Sequence, residues 1–450
     1  MASKFSRMAQ LGALTTRVSS SYLGNKVAGI FQGEEARKAG LDRTHQENAE
    51  RIVANLGSLK GAAMKVGQAI AQVADGYGLP EEARAALGKL HDKAEPVPFA
   101  VVKRRIEAEL AGGLDTLFSS FDPEPIGTAS LGQAHGARLP DGTEVVVKVL
   151  HEGIDGSVHA DLGALRAMLT AGRVLRRPKE EVDAIFQEIE ERLGEELDYR
   201  REAENLKQFR AFFHNDANVT IPAVHDGWST GRVLTMERLS GKPLPVFVAT
   251  ATPAAKQHAG VTLGRAFMRM QYELRAIHAD PHPGNYLFTP EGKVGILDFG
   301  CVRRLELGWI ADYGMCGLAT RNDDREGLME ASVRIRALTR RGDRGAEDVL
   351  WDLCRAIGTP FAKGGPYTMG SDQDDIQDRI TTLVPRLVGS SALRSPHELV
   401  FLHRGLGGVY QILKQLKARA DWGGIFEDLA LRCMADRDRA AGVLGTSAVG

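Results

Sequence analysis

The chain has 450 residues, of which 43% are hydrophobic and 26% charged, an ordinary globular composition with enough apolar material for a large core. Its formal net charge is -1, so no global field favours nucleic acid or an anionic membrane, and we expect no nucleic-acid partner. The four cysteines form no CxxC pair, which suits a reducing compartment. No apolar run reaches the length of about 18 residues that a transmembrane helix needs, and no secretory signal stands out.

The first segment, residues 1–33, is basic and serine-rich, with no acidic residue before Glu34. Its basic residues are Lys4, Arg7, Arg17 and Lys26. Such a segment is typical of an organelle transit peptide, of a membrane-surface helix, or of an ordinary solvated terminus. Four charges do not decide between these alternatives.

Residues 34–115 are predicted to form a helical extension, because apolar residues recur there at helical spacing, for example in Val101–Leu110. Gly112-Gly113 is expected to end that run. A strand-like region follows. The β-branched run Val145–Leu150 comes after the turn Pro140–Gly142, so we predict a β-hairpin.

The later elements alternate between helix and strand. We predict a long charged helix at 179–213, strands at 221–224 and 232–236, a helix at 257–277, a second hairpin at 286–297, and helices through 305–450. This order indicates an α+β fold with a sheet-rich lobe at 116–238 and a helix-rich lobe at 239–450.

The strongest chemical signal is the run His278–Asn285, which is followed after the second hairpin by Asp298-Phe299-Gly300. These are the HxDxxxxN and DFG patterns of a kinase catalytic site. Asn285 and Asp298 offer hard oxygen ligands for Mg²⁺, which neutralises charge between the β- and γ-phosphates of ATP. Asp280 is expected to orient or deprotonate the nucleophile.

A second signal is the stretch Gly127–Gly132, which has the outline GxGxxG with Ala129 in place of the middle glycine. Small residues in such a turn let backbone N–H groups approach phosphate oxygens. We therefore predict nucleotide contacts from Gly127, Thr128, Ala129, Ser130 and Gly132. Taken alone this pattern is weak, since most glycine-rich stretches are only turns.

Lys148 lies among valines on a predicted strand, where an ammonium is costly unless it has a partner. Nucleotide phosphates and a helix glutamate would provide one, and the acidic helix offers Glu190, Glu196 and Asp198. Spacing does not decide which of the two glutamates pairs with Lys148. The alternative is an edge-strand lysine that reaches water, with the acidic run as a solvated face.

His278 and His282 are spaced like a pair of metal ligands. However, Pro281 and Pro283 forbid a regular helix between them, so the two imidazoles need not share a face. We favour a structural role for His278 in bracing the loop over a zinc site.

These motifs resemble those of the UbiB/AarF family of atypical kinase-like proteins, which includes the mitochondrial coenzyme Q proteins. The resemblance covers residues 45–310 and continues more weakly to about 425. Its most specific part is Lys60–Gln68, which resembles the family's KxGQ signature through Lys65, Gly67 and Gln68. Read without the family, Lys65 and Gln68 are only polar residues of a helical stretch.

Other segments are similar to further family motifs. Residues 278–285 resemble the HxDPHPGN loop, Glu196–Asp198 resembles the ExD motif, and Met236-Glu237 resembles the hinge that holds adenine. Residues 127–133 resemble the Ala-rich nucleotide loop, but Gly127 and Thr128 depart from its alanine run, which leaves the ATP or ADP preference open.

The resemblance implies a bilobal protein-kinase-like fold with an N-terminal KxGQ extension and a helical C-lobe. It also implies binding of Mg²⁺ with ATP or ADP, support of quinone or other isoprenoid-lipid metabolism, and an extension that covers the place of a protein substrate. In independent support of that last point, no APE motif follows Gly300, and helix-like sequence starts soon after Leu305.

Three functions follow in order of preference: a catalytically competent atypical kinase or ATPase, a nucleotide-dependent lipid- or complex-binding module with little turnover, and a conventional Ser/Thr protein kinase. The expected partners are a nucleotide and an isoprenoid lipid, quinone or membrane surface, with protein partners unassigned. We expect a cytoplasmic protein, an organelle transit peptide remaining the alternative. Because the sequence shows no C-terminal hydrophobic span, we expect any membrane contact to be peripheral.

Overall fold

The computed structural model describes residues 96–128, 131–153, 197–279 and 281–447, with short pieces between 162 and 194. The basic segment and most of the predicted helical extension lie outside these ranges. Some of the candidate site residues also lie outside them: Lys65, Gly67, Gln68, Ala129, Ser130, Glu196 and Asp280. The described part contains both helices and strands, which confirms the α+β fold class.

The described strands are β1 (Ser120–Thr128), β2 (Gly132–Arg138), β3 (Glu144–Leu150), β4 (Val219–Thr220), β5 (Val233–Glu237), β6 (Lys242–Pro243), β7 (Ala276–His278), β8 (Tyr286–Phe288), β9 (Val294–Ile296), β10 (Val302–Arg304), β11 (Tyr367–Thr368) and β12 (Arg419–Ala420).

The described helices are α1 (Phe99–Leu110), α2 (Leu114–Leu117), α3 (Tyr199–Phe212), α4 (Leu244–Thr250), α5 (Pro253–Arg269), α6 (Leu307–Arg321), α7 (Arg325–Arg334), α8 (Arg344–Ile357), α9 (Ile376–Gly389), α10 (His397–Leu416) and α11 (Trp422–Ser447).

The chain divides into two compact units. The first contains the described residues up to Ala203 together with Val224–Arg238, and the second contains Glu204–Ala223 and the described residues from Leu239 onward. Residues 204–223, which the predicted N-lobe includes, therefore group with the second unit.

The first unit is built on an antiparallel sheet with the order β1-β2-β3-β5. Val145, Val147 and Val149 of β3 are buried against Val102 and Ile106 of α1. The alternation of a strand puts Val146 and Lys148 on the other face. The predicted hairpin is confirmed as β2–β3, with Gly142 at its turn in a positive-φ conformation (+90°) that side chains rarely adopt.

The long helix predicted at 179–213 is wrong in one respect, because Leu197 and Asp198 are not helical and α3 begins at Tyr199. The Asp198 carboxylate accepts a hydrogen bond from the backbone N–H of Arg200 (3.1 Å). This is the competition of a short acidic side chain with the helix ladder that makes such residues helix starters. The Tyr199 N–H donates outward, to the carbonyl of Gly231 (2.9 Å).

The second unit contains a small sheet with the order β4-β9-β8-β6. The predicted second hairpin is confirmed as β8–β9. The strand predicted at 221–224 is wrong in position, because β4 covers Val219–Thr220 and Val224 forms only an isolated bridge with Met236.

The helix predicted at 257–277 also needs correction. Its α-helical part, α5, ends at Arg269, and one π-helical stretch, Met270–Leu274, follows. Arg275 then adopts the left-handed conformation (φ 56°), and the chain enters β7. The π-helical stretch and this reversal bring the chain into the loop that carries the catalytic motif.

The prediction that 305–450 is mostly helical is confirmed by α6–α11 over the described range. A core shared by α6, α7 and α8 includes the fully buried Leu328 and Ala331. Of the helices that the structure describes, none combines the length and the apolar character needed to span a membrane.

Candidate active site

The two predicted Mg²⁺ ligands, Asn285 and Asp298, lie at one end of the β8–β9 hairpin. Tyr286 pairs with Ile296, and one step further the N–H of Leu297 donates to the carbonyl of Asn285 (2.9 Å). Asn285 and Asp298 therefore leave the hairpin at the same end, and both are partly exposed. Amide and carboxylate oxygens are ligands that Mg²⁺ accepts, so this pair fits a magnesium site.

The residues after Asp298 hold its backbone in place. The N–H of Gly300 donates to Asp298 Oδ1 (3.0 Å), and the fully buried Phe299 ring packs against Phe209 (4.5 Å between centroids). The side-chain amide of Asn205 donates to the carbonyl of Phe299 (3.0 Å). Helix α3, through Asn205 and Phe209, thus fixes the peptide that follows the candidate metal ligand.

The catalytic-motif loop is fixed on both sides of position 280. On one side, the Ala279 N–H donates to the carbonyl of Cys301 (2.8 Å), next to the pairing of β7 with β10. On the other side, Pro281 packs so closely on α10 that a Cβ added at Gly408 would lie 2.3 Å from its Cγ. Asp280 itself lies outside the described residues, so its role stays a prediction.

The structure favours a structural role for His278. Its buried ring packs edge-on against Phe299 (5.4 Å). His282 is exposed, and its Nδ1 accepts a hydrogen bond from the N–H of Gly284 (3.1 Å). Within the described ranges, which leave out Asp280, no three or more His, Cys, Asp or Glu side chains form a possible metal group. Nothing there supports the zinc alternative.

Lys148 lies on an interior strand, since β3 pairs with β2 on one side and β5 on the other. The edge-strand alternative is therefore wrong. The Lys148 ammonium makes an ion pair with Glu202 Oε1 (2.5 Å), and the two side chains are only 15% and 5% exposed. A pair this well buried is costly to break by removing one partner.

The sequence analysis does not identify Glu202, because its candidate partners for Lys148 are the glutamates Glu190 and Glu196. Glu190 is exposed, Asp198 precedes α3, and Glu196 is outside the described residues. The sequence signal that could identify Glu202 is Asp198, a residue type that often precedes the first turn of a helix. A helix that starts after Asp198 has Glu202 in its first turn.

The two described glycines of the candidate nucleotide loop have different surroundings. A Cβ at Gly132 would lie 2.5 Å from the carbonyl oxygen of Val149 and 3.0 Å from the Tyr199 hydroxyl, whereas a Cβ at Gly127 would meet nothing within 4 Å. Gly132 is thus required for packing, and only Gly127 has the open space that a ligand's approach needs. Thr128, at the end of β1, pairs with Gln133.

The two hinge residues lie at the end of β5. Met236 is buried (4% exposed) and pairs with Val146, and the partly exposed Glu237 pairs with Val145. The sheet thus fixes their backbone in the first unit.

The family model described as ABC1 atypical kinase-like domain matches residues 89–332, more than half of the chain. Atypical kinase COQ8, mitochondrial, of Saccharomyces cerevisiae is 27% identical over 95% of this chain and 85% of its own length. Atypical kinase COQ8B, mitochondrial, of Rattus norvegicus is 29% identical over 97% of this chain and 82% of its own length.

Among solved structures, the Mycobacterium tuberculosis protein Rv3197 in complex with erythromycin is 28% identical, with a TM-score of 0.62 over 88% of this chain and 98% of that one. These matches confirm the resemblance drawn from the motifs. Together with the catalytic-loop and DFG segments described above, they establish that the chain belongs to the family of ABC1 atypical kinase-like proteins and is an atypical kinase.

Proposed function

We propose that this atypical kinase binds Mg-ATP or Mg-ADP and acts on the terminal phosphoryl group, in support of quinone or other isoprenoid-lipid metabolism. The observation that carries the proposal is the shared hairpin end of Asn285 and Asp298. Two hard oxygen donors next to a firmly held Phe299 suit a magnesium–phosphate complex.

Six further candidate residues have roles in this proposal. Lys148, oriented by Glu202, contacts a phosphate, and Asp280 orients or deprotonates the nucleophile. Gly127 and Thr128 approach the phosphates, while the Met236-Glu237 hinge holds adenine. The Mg²⁺ ion, held by Asn285 and Asp298, supplies charge neutralisation between the phosphates when it is bound.

The acceptor is proposed to be a small molecule, a lipid or water rather than a peptide. In the continuously described range 281–447, only Cys301–Glu306 separates Gly300 from α6, and half of that segment is β10. Protein kinases use a longer segment after DFG to order the substrate site. The short connection therefore argues against a conventional Ser/Thr protein kinase.

For location, the yeast and rat relatives are named mitochondrial. We propose for this chain peripheral contact with a membrane surface, where an isoprenoid lipid or quinone would be available. The basic, acid-free segment at 1–33 supports either such contact or a transit peptide.

The test is ATP turnover by the purified chain with and without liposomes and quinone-like phenols. We expect turnover that Asp298→Asn abolishes, because a hard ligand loses its charge, and that the matched surface change Asp323→Asn leaves intact, since Asp323 has a 74% exposed side chain. Tight ATP binding without ADP release, even with lipid, would instead identify a binding module. Unchanged Mg-ATP affinity in Asp298→Asn would defeat the metal assignment.

A further inference from the structure

A buried chain of hydrogen bonds crosses the first unit beside the candidate nucleotide loop. The N–H of Val97 donates to Gln133 Oε1 (2.8 Å). The other end of the Gln133 amide lies 2.9 Å from Nε2 of His135, whose Nδ1 lies 2.9 Å from the carbonyl oxygen of Asp122. Gln133 is 3% exposed and His135 is fully buried.

The two ends of this chain fix the proton positions inside it. A backbone N–H can only donate, so Gln133 must present its oxygen to Val97 and its NH₂ group to His135. A backbone carbonyl can only accept, so His135 must carry a proton on Nδ1, facing Asp122. His135 Nε2 must then be the acceptor. Only the neutral imidazole with its proton on Nδ1 satisfies every group.

These side-chain hydrogen bonds take the place of backbone pairing at an irregular part of the sheet. Strand β1 is an edge strand, and its register against β2 shifts between Phe121 and Pro125 and again between Pro125 and Gly127. Pro125 also has no N–H to donate to the ladder. The carbonyl of Asp122 lies inside the first shift and is bonded by His135. His135 therefore helps to hold this part of β1 through the Asp122 carbonyl, and Gln133 acts on β1 only by fixing the His135 ring.

The irregular stretch runs directly into the nucleotide loop. Pro125 pairs with His135, and Thr128 pairs with Gln133. The backbone of Gly127 and Thr128 pairs with Ala134 and Gln133 of β2, the strand that carries the two side chains that reach Val97 and Asp122.

We propose that Gln133 and His135 are positioning residues for the nucleotide, which in the parent protein keep Gly127 and Thr128 in their binding conformation only while His135 is neutral. This inference rests on the proposed nucleotide function. It assigns to the two side chains no contact with the nucleotide itself.

The surroundings of His135 are consistent with a neutral ring near pH 7. Burial is the largest influence and lowers the pKa of His135, while Asp122 and Glu124, both on β1, act in the opposite direction. The rings packed on it are Phe99 of α1 (6.1 Å) and Phe121 of β1 (5.3 Å), and Val147 of β3 pairs with it. Protonation would place an Nε2–H against the Gln133 NH₂ group, donor against donor.

The decisive variant is Gln133→Glu. A carboxylate still accepts from Val97 but cannot donate to Nε2, so it is satisfied only when His135 is protonated. We expect its Mg-ATP affinity to be about tenfold weaker at pH 8, the loss of one buried hydrogen bond, and to recover toward pH 6. The matched control is Gln377→Glu on an exposed position of α9. The measurement is calorimetric titration with Mg-ATP from pH 8 to 5.5. The ratio of the dissociation constants of the two variants at each pH cancels the effect of the ionisation of ATP itself.

A second readout is nitrogen NMR of ¹⁵N-histidine-labelled protein. We expect His135 to be neutral with its proton on Nδ1 at pH 7.5 in the parent and in Gln377→Glu, and its pKa to rise in Gln133→Glu. A charged His135 or an Nε2–H tautomer in the parent at that pH would overturn the proposal, even if Gln133→Glu failed to fold.

The failures are distinguishable. A parent that binds no nucleotide at any pH defeats the proposed function, and this inference with it. A parent that binds Mg-ATP, with Gln133→Glu matching Gln377→Glu at every pH, defeats only the positioning role.

Discussion

Single residues decide how the Lys148 ammonium is oriented. Glu202→Gln keeps the size of the partner but removes the charge that pairs with Lys148 in a site where both side chains are mostly buried. We expect the Mg-ATP affinity to fall about tenfold. Without the Glu202 charge, the ammonium of Lys148 is oriented less firmly toward the phosphate, and less of the cost of burying it is offset. Glu204→Gln, an exposed neighbour on the same helix, is the matched control. Equal Mg-ATP affinities in the two variants would show that the ion pair does not contribute to nucleotide binding.

The two glycines of the nucleotide loop should respond differently to the same change. Gly132→Ala places a Cβ against the Val149 carbonyl and the Tyr199 hydroxyl, so we expect the free energy of unfolding to fall by about 1–3 kcal/mol. Gly127→Ala meets open space and should leave stability within about 0.5 kcal/mol while weakening nucleotide binding. Urea unfolding of both variants measures the difference. Similar losses of stability would contradict the assignment.

Residue identities in local motifs could be predicted from the sequence, and residue partners could not. Asn285 and Asp298 were predictable as a pair because a short hairpin connects them, which fixes their relation locally. The partner of Lys148 was not, because it depends on where a helix starts after a break at Leu197 and Asp198. The packing need at Gly132 was also hidden, since Tyr199 is distant in sequence.

At the scale of elements, α3 controls the DFG segment through Asn205. Asn205→Asp replaces the donor to the Phe299 carbonyl with an acceptor, so the two oxygens would repel each other. We expect about a three- to tenfold higher Mg²⁺ requirement for ATP binding, because Asp298 loses its fixed backbone. The matched change Asn215→Asp lies at an exposed position and should not alter it. The readout is a Mg²⁺ titration at constant ATP.

Helix α10 positions the catalytic-motif loop, and adjacent glycines separate packing from helix propensity. A Cβ at Gly407 meets nothing within 4 Å, whereas one at Gly408 collides with Pro281. Gly407→Ala should therefore stabilise the protein by about 0.5–1 kcal/mol. Gly408→Ala should lower ATP turnover and stability, because Pro281 must move. If Gly408→Ala keeps parental turnover, α10 does not position this loop.

Element types were predictable where a periodic pattern or a turn was strong, as in the two hairpins and the helices after Leu305. The ends of elements were not predictable where they depend on a single residue. Asp198 starts a new helix by capping it, and Arg275 reverses the chain after a π-helical stretch that has no periodic signature. The role of α10 depends on Gly408 meeting Pro281, a contact between distant segments that local patterns do not report.

At the scale of the whole molecule, acid should weaken both compact units through one histidine in each, the fully buried His135 and the partly buried His403. His135 belongs to the first unit and His403 to the second. Burial lowers the pKa of His403 to about 4, and the Tyr313 hydroxyl lies 3.2 Å from its Nε2, where a neutral ring accepts a hydrogen bond. Burial also lowers the pKa of His135. The sequence does not predict these lowered pKa values, because it does not show which histidines the fold removes from solvent.

The sign follows from proton binding in the two states. Above pH 6.5, the ordinary histidine pKa, both residues are neutral whether the chain is folded or unfolded, so their contribution is constant. Below pH 6.5 the two histidines bind protons in the unfolded chain but stay neutral in the folded protein. The free energy of unfolding therefore falls until the pH reaches their lowered pKa values in the folded protein. For His403 the window runs from pH 6.5 to about 4, and the loss is about 2–3 kcal/mol across it.

Urea unfolding at pH 7, 6, 5 and 4.5 measures this loss, with separate probes for the two units because they need not unfold together. His403→Gln should flatten the pH dependence of the second unit, since it removes the group that takes up the proton. His214→Gln, at an exposed position, should leave the slope unchanged. A free energy of unfolding that stays constant from pH 7 to 4.5 in the parent would show that neither histidine is held neutral by its burial.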